Sequence, residues 1–471
     1  MIIEQIYTGC LAQGAYYIQS ENEVAIIDPL REVTPYIQRA DAAGGKIKYV
    51  FETHFHADFV SGHLDLAKKT GATIVYGPTA KPGFEAHAAE DNEEFKLGKI
   101  TIKVLHTPGH TMESACYLLL DENGKQAALF SGDTLFIGDV GRPDLAQKAA
   151  HMTKEELAGT LFDSLRGKIM PLNDDVIIYP AHGAGSACGK NMSKETTDTL
   201  GNQKKYNYAL RADMTRDEFI DEVTRGLMPP PTYFPMNVKM NKEGYDSIDS
   251  VLSHGMTPLT ADAFEATANA TDAIVLDTRA PEVFASGFIP NSINIGINGS
   301  FAPWVGTLIT DISQPILIVA EKAQVEEVVT RLARVGYDHA LGYLEGGIAA
   351  WRAAGKDIDV IKNVCAEDLS QLIAGKPVNL LDVRRTSEYE SEHIIGAENM
   401  PLDYINEHLS ELSKNKEYYV HCAGGYRSMI FISILKSRGY EQLINVTGGF
   451  KALKESGKFE VTPYVCPSTM L

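Results

Sequence analysis

The run Thr53-His54-Phe55-His56-Ala57-Asp58-Phe59 constrains this chain more than any other segment. It places three side chains that bind metal ions, two imidazoles and one carboxylate, within five consecutive positions. The apolar run 47–51 just before it predicts a buried strand. Polar residues at the end of such a strand are where the sites of layered α/β folds usually lie. We therefore expect a metal site where this strand ends.

Three later segments repeat the arrangement, since each places candidate ligands directly after an apolar strand. These segments are His106-Thr107-Pro108-Gly109-His110, Ser131-Gly132-Asp133-Thr134 and Tyr179-Pro180-Ala181-His182-Gly183. Because each strand end can deliver one ligand to a shared point, His54, His110 and Asp133 are predicted to hold one ion. Two imidazoles and one carboxylate with open positions form the facial triad of non-haem Fe(II) enzymes. His63 and His106 are predicted to be an ordinary helix-start residue and strand-end residue.

Length and composition limit the classes of protein that fit. The 471 residues predict about three domains, and a formal net charge of −19 argues against nucleic acid or an anionic membrane surface as partner. No apolar run reaches the roughly 18 to 20 residues of a membrane span, and the first residues show no export signal. Six cysteines without a CxxC pair fit free thiols in a reducing compartment. We expect a cytoplasmic protein.

The second half of the chain repeats itself after a proline cluster at 228–235, which predicts a stiff linker. The segment 275–279 returns as 380–384, and the segment 344–348 returns as 446–450. This spacing indicates two copies of one domain. Each copy alternates strands and helices, which favours a parallel sheet with helices on both faces. The predicted domains are therefore 1–240, 241–357 and 358–471.

The second copy carries a cysteine loop, Tyr419-Val420-His421-Cys422-Ala423-Gly424-Gly425-Tyr426-Arg427-Ser428. A strand runs into Cys422, and a glycine-rich turn leads into a helix, so backbone N–H groups form an anion-binding nest. We expect this nest and Arg427 to favour a thiolate or a persulfide at Cys422. Gly424, Gly425 and Tyr426 are predicted to contact the bound substrate. Four residues separate Cys422 from Arg427, one fewer than in cysteine-based phosphatases, and the smaller ring suits a single sulfur atom.

The first copy departs from this pattern. Glu321 stands at the position of the cysteine, and Glu326 stands at the position of the arginine. Both replacements oppose the binding of an anion or a persulfide. This copy is therefore predicted to be catalytically inactive and to serve either as a spacer or as an interface.

The four metal-site motifs, taken in order over about 1–240, resemble the metallo-β-lactamase superfamily and, within it, its persulfide dioxygenase branch. The motifs of that branch are 107–111, 132–136 and 138–144. The resemblance implies an αββα sandwich with one Fe(II) per chain, held by His54, His110 and Asp133. Hydrolases of the superfamily usually hold two zinc ions in a His-x-His-x-Asp-His box, whose last histidine is replaced here by Phe59.

The same resemblance assigns supporting roles to His56, Asp58 and His182, which would orient the ligands and hydrogen-bond to the oxidised product. In a dinuclear enzyme His56 and His182 both bind metal, and only Phe59 argues that they do not. Arg142 either grips the anionic part of a thiol carrier or pairs with a nearby aspartate. Cys188 either faces the metal pocket or is a small buried thiol in a glycine-rich turn.

The second copy also contains the segments 382–384, 388–389 and 393–397, with which it resembles a rhodanese, a sulfurtransferase. Asp382 and Arg384 are structural members of that pattern. The whole chain resembles the persulfide dioxygenase–rhodanese fusion family. The predicted fold class is α/β, an amino-terminal αββα sandwich followed by two rhodanese-like domains with parallel sheets.

An iron site and a persulfide-carrying loop in one chain indicate oxidation of sulfane sulfur. The predicted reaction oxidises a low-molecular-weight thiol persulfide with O₂ to sulfite, and Cys422 then makes or uses thiosulfate. The sequence leaves open which thiol carrier binds (glutathione, coenzyme A or another) and the direction of sulfur transfer. A homo-oligomer is expected. Two alternatives are a glyoxalase II-like thioester hydrolase with two metal ions and a non-oxidising sulfur relay.

Overall fold

A computed structural model describes residues 1–466 of the protein, and the chain divides into two units. The first unit comprises 1–250 and the short segment 332–336, and the second comprises 251–331 and the chain from 337 onward. The last five residues of the predicted third domain, 467–471, lie outside the described residues. The division into three domains with boundaries at 240 and 357 stays a prediction. Among residues 1–466, none of the helices has both the length and the apolar character needed to cross a membrane.

The first unit contains two sheets of six strands each within the described residues. Its strands are β1 (Ile2–Thr8), β2 (Gln13–Ser20), β3 (Glu23–Ile27), β4 (Lys46–Glu52), β5 (Thr73–Tyr76), β6 (His87–Ala88), β7 (Glu94–Leu97), β8 (Ile100–His106), β9 (Ala115–Leu120), β10 (Gln126–Gly132), β11 (Ile177–Pro180) and β12 (Asp198–Thr199). The first sheet has the order β1-β2-β3-β4-β5-β6, and the second has the order β12-β11-β10-β9-β8-β7. Strands β3 to β6 are parallel neighbours, and β10 runs parallel to β11.

Helices lie between and beside these strands. They are α1 (Thr34–Ala42), α2 (His63–Thr70), α3 (Gln147–Ala150), α4 (Lys154–Ser164, continued by a π-helical turn, Leu165–Ile169), α5 (Leu200–Tyr206), a 3-10 turn (Tyr208–Leu210), α6 (Arg216–Thr224) and α7 (Phe234–Glu243). Helix α8 (Ile248–Gly255) crosses the boundary between the two units. Local sequence explains their ends. Helix α4 begins at a capping box in which Thr153 and Glu156 satisfy each other's backbone N–H groups, and α2 ends at Gly71, whose φ of +73° favours glycine.

Three buried clusters hold the layers together. The central cluster takes Phe51 from the first sheet and Tyr117 and Phe130 from the second, so the two sheets pack face to face. A second cluster joins the first sheet to α1 and α2, and a third joins the second sheet to α4 and α6. The predicted αββα sandwich is therefore confirmed.

The second unit contains two parallel sheets with the same strand order. The strands of the first copy are β13 (Pro258–Leu259), β14 (Ile274–Asp277), β15 (Ile293–Asn294), β16 (Ile316–Val319) and β17 (Ala340–Leu344), and those of the second are β18 (Lys362–Val364), β19 (Asn379–Asp382), β20 (Glu398–Asn399), β21 (Tyr418–His421) and β22 (Leu443–Val446). The orders are β13-β17-β16-β14-β15 and β18-β22-β21-β19-β20. This position-by-position match confirms the predicted duplication.

The helices of this unit also follow the repeat. Those of the first copy are α9 (Ala261–Thr271), α10 (Pro281–Ala285), α11 (Phe301–Leu308), α12 (Val325–Arg334, which crosses a unit boundary) and α13 (Gly347–Ala353), and those of the second are α14 (Ala366–Gly375), α15 (Thr386–Ser391), α16 (Ile405–His408), α17 (Tyr426–Ser437) and α18 (Gly449–Glu455). Short 3-10 turns lie at Lys322–Gln324, Leu402–Tyr404 and Leu409–Glu411. Helix α17 begins directly after the glycines of the cysteine loop, as the sequence predicts.

Candidate functional site

His54, His110 and Asp133 come together at the strand ends of the first unit. Their donor atoms lie within 4.8 Å of one another, and all three side chains are buried. The Asp133 Oδ2 atom lies 3.4 Å from His110 Nε2 and 3.8 Å from His54 Nε2. His54 follows β4 by two residues, and Asp133 directly follows β10. The three predicted ligands therefore converge on one point.

Hydrogen bonds on the far side of each ring fix this arrangement. His54 Nδ1 lies 3.0 Å from the Thr53 hydroxyl, and His110 Nδ1 lies 2.9 Å from the Arg142 carbonyl oxygen. Thr53 is held in turn by Asp28, which accepts its backbone N–H and its hydroxyl at 2.8 and 2.9 Å. Bonds of this kind leave the Nε2 atoms directed at the shared point, as they do around protein metal ions.

The donor set fits a divalent cation. Both carboxylate oxygens of Asp133 are buried and lack a hydrogen-bond partner among residues 1–466, which is costly for a charged group unless a cation pairs with it. Burial, followed by the neighbouring imidazoles, holds the pKa of His54 well below its usual value. His54 is therefore neutral, the state that a metal ligand needs.

One backbone position next to this set admits only glycine. A Cβ atom on Gly141 would lie 1.9 Å from the carbonyl oxygen of Asp133 and 3.0 Å from His110 Nδ1. Real Cβ atoms do not approach other atoms so closely. Gly141 therefore lets the loop after β10 pass directly behind two of the candidate ligands.

His56 is directed toward a different set of groups. Its Nε2 atom lies 3.0 Å from Asp28 Oδ1 and 3.5 Å from Glu52 Oε2, and all three side chains are buried. Burial disfavours charge on His56, but Asp28 and Glu52 outweigh it and raise the pKa of His56 to about 9. The ring of Phe59 lies against this imidazole, with centroids 4.3 Å apart. His56 is thus held as a charged partner of Asp28, whereas burial raises the pKa of Glu52 well above its usual value.

A neighbouring group contains the remaining predicted residues. His56, Asp58 and His182 each offer an atom to a set whose members lie within 4.8 Å of one another. His182 Nε2 lies 3.5 Å from Asp58 Oδ2 and 3.6 Å from Asp133 Oδ1. These side chains therefore lie beside the first three ligands, and their predicted supporting role stays a prediction.

Cys188 faces this centre, the first of its two predicted placements. It forms a set with Asp133 and His182 whose donor atoms lie within 4.8 Å of one another, and its side chain is 1% exposed. Burial, and then the charges of Asp58 and Asp133, raise the pKa of the Cys188 thiol well above its usual value. Cys188 is therefore a protonated thiol at neutral pH.

The guanidinium of Arg142 is engaged within the protein. It makes two parallel hydrogen bonds of 2.7 Å to the Asp144 carboxylate and further bonds to the carbonyl oxygens of Ala187 and Met228. The pairing with Asp144 is the structural alternative stated above. Its predicted contact with a thiol carrier stays a prediction.

Sequence reasoning missed the buried polar layer behind the centre. Asn241 of α7 donates to the carbonyl oxygens of His56 and Phe59, both at 2.8 Å. Glu52 contacts His56 and also lies 3.6 Å from His63 Nδ1. The one signal of this layer in the sequence was Glu52, a glutamate at the end of the apolar strand β4, because a glutamate is rarely fully buried without a partner.

The cysteine loop of the second unit has the predicted shape. Cys422 follows β21, is 1% exposed, and its Sγ accepts the Gly425 N–H at 3.1 Å. Gly425 has a φ of +115°, which favours glycine, and open space surrounds the Cα atoms of Gly424 and Gly425. An anion or a sulfur atom carried by Cys422 would therefore meet backbone N–H groups at the start of α17.

Arg427 is paired with a carboxylate beside this loop. Its Nη1 and Nη2 atoms lie 2.5 and 2.9 Å from the two carboxylate oxygens of Glu388. Burial alone would raise the pKa of Glu388, but Arg427 outweighs it and keeps that pKa below its usual value. Asp382 and Arg384 form an internal ion pair at 2.6 Å, which matches their predicted structural role.

The equivalent loop of the first copy lacks these groups. Glu321 and Glu326 are both exposed, and the ion pair of Asp277 with Arg279 repeats that of Asp382 with Arg384. The first copy thus keeps the scaffold of the repeat without its cysteine. Its predicted inactivity stays a prediction.

Comparison with known proteins agrees with this architecture. The family model of the metallo-beta-lactamase superfamily matches residues 8–182, and that of the rhodanese-like domain matches 260–354 and 366–456. A crystal structure of a metallo-beta-lactamase from Staphylococcus aureus subsp. aureus COL is 33% identical, covers 73% of this chain and 98% of its own, and has a TM-score of 0.64. Hydroxyacylglutathione hydrolase GloC of Haemophilus influenzae is 31% identical over 40% of this chain and 94% of its own length.

Further hydrolase relatives match over a smaller share of their length. The chain spans 66% of one further hydroxyacylglutathione hydrolase and 45% of another. The crystal structure of ETHE1 from Myxococcus xanthus is 27% identical, covers 51% of this chain and 98% of its own, and has a TM-score of 0.44.

The chain belongs to the metallo-β-lactamase superfamily. Two rhodanese-like domains follow its metallo-β-lactamase domain.

Proposed function

We propose that this chain is an Fe(II)-dependent persulfide dioxygenase joined to a sulfurtransferase. The observation that carries the proposal is the direction of His56, whose Nε2 lies 3.0 Å from Asp28 while His54, His110 and Asp133 converge elsewhere. Phe59, whose ring lies against His56, stands at the last position of the His-x-His-x-Asp-His box and supplies no ligand there. Two histidines and one carboxylate suit Fe(II) with open coordination positions.

The stoichiometry of the proposed reaction needs no further redox partner. A thiol persulfide, O₂ and water give the thiol, sulfite and two protons. The outer sulfur loses four electrons on becoming sulfite, and O₂ accepts four. When bound, Fe(II) would supply a site at which O₂ and a sulfur ligand meet.

The residues of the chain orient and enclose this site. Thr53 and the Arg142 carbonyl oxygen hold the two imidazoles in place, and burial keeps His54 neutral. His182 and Asp58 line the adjoining space at 3.5 Å from each other, where they would hydrogen-bond to an oxidised sulfur product. Most side chains of this region are buried, which excludes water from a reactive persulfide.

Sulfur transfer is assigned to the second unit. Cys422 would carry sulfane sulfur as a persulfide and pass it to sulfite, which gives thiosulfate and the free thiolate. The outer sulfur moves from one sulfur atom to another, so this transfer needs neither an oxidant nor a reductant. The Gly425 N–H, 3.1 Å from Cys422 Sγ, is the first of the loop donors that would stabilise the carried sulfur.

Thioester hydrolysis is the second candidate. The hydroxyacylglutathione hydrolases among the relatives favour it, and so does the set His56, Asp58 and His182, which would hold a second ion. Against it stands Phe59, which cannot bind metal. A pure sulfur relay without oxidation is the remaining alternative.

Metal content and oxygen uptake decide between these functions. We expect anaerobically purified protein to hold about one iron per chain and to consume O₂ on addition of glutathione persulfide or coenzyme A persulfide. Two tightly bound zinc ions with hydrolysis of lactoylglutathione would establish the hydrolase instead. Bound metal without O₂ consumption, together with active sulfur transfer, would establish the relay.

The variant Phe59→His tests the reason for a single ion. Restoring the missing ligand should raise zinc binding from about one toward two ions per chain and lower persulfide-dependent oxygen uptake. Phe55→His, a change at the neighbouring buried phenylalanine of the same motif, is the matched control and should not add a second ion. Unchanged stoichiometry in Phe59→His would mean that Asp28 and Glu52 alone keep His56 from binding metal.

A further inference from the structure

Tyr426 connects the cysteine loop to the other copy of the repeat. It is the first residue of α17, directly after Gly424 and Gly425. Its hydroxyl donates a 2.7 Å hydrogen bond to the carbonyl oxygen of Gly296, which follows β15 of the first copy. The start of the helix that follows the loop is therefore tied to the copy that lacks a cysteine.

The ring of Tyr426 occupies a slot that two glycines create. A Cβ atom on Gly299 would lie 2.4 Å from the ring Cζ, and one on Gly296 would lie 3.3 Å from Cε2. The first distance is shorter than real Cβ atoms ever show, so an alanine at Gly299 would force the ring to move.

The second copy has no equivalent of this slot. Asn294 and Asn399 mark the same position in the two copies, since each side-chain amide donates to the carbonyl oxygens of the aspartate and arginine of its own ion pair. Counting from these asparagines, Pro401 and Tyr404 stand where the first copy has Gly296 and Gly299. The slot is thus specific to the copy without a cysteine.

The segment that forms the slot is itself held on two sides. Arg331 donates to the carbonyl oxygen of Ile297 at 2.8 Å, and the Asn294 N–H donates to the Ser433 hydroxyl of α17 at 2.9 Å. The glycine segment is therefore fixed both within its own copy and against the helix that carries Tyr426.

We propose that the first copy acts as a positioning element for the Cys422 loop, with Tyr426 as the positioning residue. This inference rests on the sulfurtransferase half of the proposed function. Two consecutive glycines make the loop permissive, since open space surrounds both Cα atoms. Fixing Tyr426, the residue that follows these glycines, restricts the loop to the conformation in which the Gly425 N–H donates to Cys422 Sγ. The first copy is thereby retained as an interface for the loop.

Tyr426→Phe removes the hydrogen bond and keeps the ring. The loop would then be competent for only a fraction of the time, so the KM for thiosulfate should rise by that factor while kcat stays within about twofold. One hydrogen bond shifts the ratio of open to closed loop by about two- to tenfold, so we expect the KM to increase by at most about tenfold. A role limited to stability would instead lower kcat at constant KM, because fewer molecules would be folded. Tyr440→Phe removes another tyrosine-to-carbonyl bond of the same copy and should leave both constants unchanged.

Gly299→Ala tests the contribution of the first copy alone. It displaces the ring without changing any residue of the Cys422 domain, and it should raise the KM for thiosulfate by about tenfold or more. Gly375→Ala, in open space on α14, is the matched control. If Gly299→Ala fails to fold, Tyr426→Phe still decides the question.

Alkylation of Cys422 separates this inference from the proposed function. Cys422 is 1% exposed, so iodoacetamide reaches it only when the loop opens, and both variants should react faster than the wild type in proportion to the open fraction of the loop. A wild type without sulfurtransferase activity would refute the function of Cys422, and the alkylation rates would still test the positioning. Unchanged KM and unchanged alkylation in Tyr426→Phe, or a loss confined to kcat, would overturn the inference.

Discussion

The candidate metal centre is built from side chains, whereas the Cys422 loop is built mainly from backbone. His54, His110 and Asp133 come from distant points of the chain and meet only because two sheets pack face to face. The loop takes its donors from consecutive residues between β21 and α17, and Gly425 N–H already points at the sulfur. One region depends on the tertiary fold and the other on local geometry.

Substitutions should therefore impair the two regions in different ways. At the centre, the position of each imidazole depends on a second residue, such as Thr53 behind His54 or Asp28 and Glu52 beside His56. At the loop, Cys422 is the one residue that would react, and the groups around it would modify its reactivity. Changes at the centre should therefore act on metal binding and pH dependence, and changes at the loop should act on sulfur transfer.

Asp133→Ala should show most directly that the two regions act independently. Removing the carboxylate whose oxygen lies 3.4 and 3.8 Å from the two imidazoles should abolish iron binding and oxygen uptake. Thiosulfate-to-cyanide sulfur transfer through Cys422 should remain. Asp175→Ala, which removes an exposed carboxylate, is the control for iron analysis and for both assays. Loss of both activities in a folded Asp133→Ala protein would show that the regions are not separable.

Cys422→Ser is the reciprocal change. A serine cannot form a persulfide, so sulfur transfer should fall to background while iron content and oxygen uptake persist. The product of persulfide oxidation should shift from thiosulfate toward sulfite, which ion chromatography measures. Cys365→Ser, at the N-cap of α14, should leave the products unchanged. An unchanged product ratio in Cys422→Ser would remove Cys422 from the pathway.

A buried histidine beside the metal centre should make the stability of the protein depend on pH. His63 is fully buried next to Glu52 and packs against Phe84, Tyr76 and Tyr245. Burial, and then the charges of His56 and Arg31, lower its pKa to about 3. The unfolded chain binds a proton at this histidine below pH 6.5 and the folded chain does not, so the free energy of unfolding falls as the pH falls from 6.5 toward 3.

The variant His63→Phe should remove this slope. Between pH 7 and pH 5 the wild type should lose about 2 kcal/mol more of its free energy of unfolding than the variant, as an upper limit. Urea unfolding followed by pulsed hydrogen exchange on peptides from β4 and α2 measures the difference. His87→Gln changes an exposed histidine and should keep the slope of the wild type. Equal slopes in His63→Phe and the wild type would mean that His63 is charged in the folded protein.

Sequence patterns predicted most of the fold and the convergence of the candidate ligands. Apolar strands followed by His54, His110 and Asp133 identified residues that the structure brings within 4.8 Å. The internal repeat predicted two parallel sheets, and these have the same strand order. Both signals are local or periodic, so a single sequence contains them.

Contacts between distant segments could not be predicted in this way. The direction of His56 depends on Asp28, which directly follows β3, and no spacing in the sequence reports that proximity. The bond from Tyr426 to Gly296 joins residues far apart in the chain, so the sequence indicated a substrate contact for Tyr426 where the structure shows its hydroxyl engaged by the first copy. Such pairs follow from packing, which a motif does not encode.

Removing the charge of the ion pair beside the Cys422 loop should change sulfur transfer only slightly. Arg427 makes a bidentate contact with Glu388, and Glu388→Gln would keep the shape of that partner while removing its charge. Because the Glu388 side chain is 36% exposed, solvent screening limits the pair to about 1 kcal/mol, and kcat/KM for thiosulfate should fall about three- to tenfold. Glu392→Gln, which removes the partner of Lys454, is the control. A loss as large as that of Cys422→Ser would mean that Arg427 acts on the reacting sulfur and that the loop depends on side chains as much as the metal centre does.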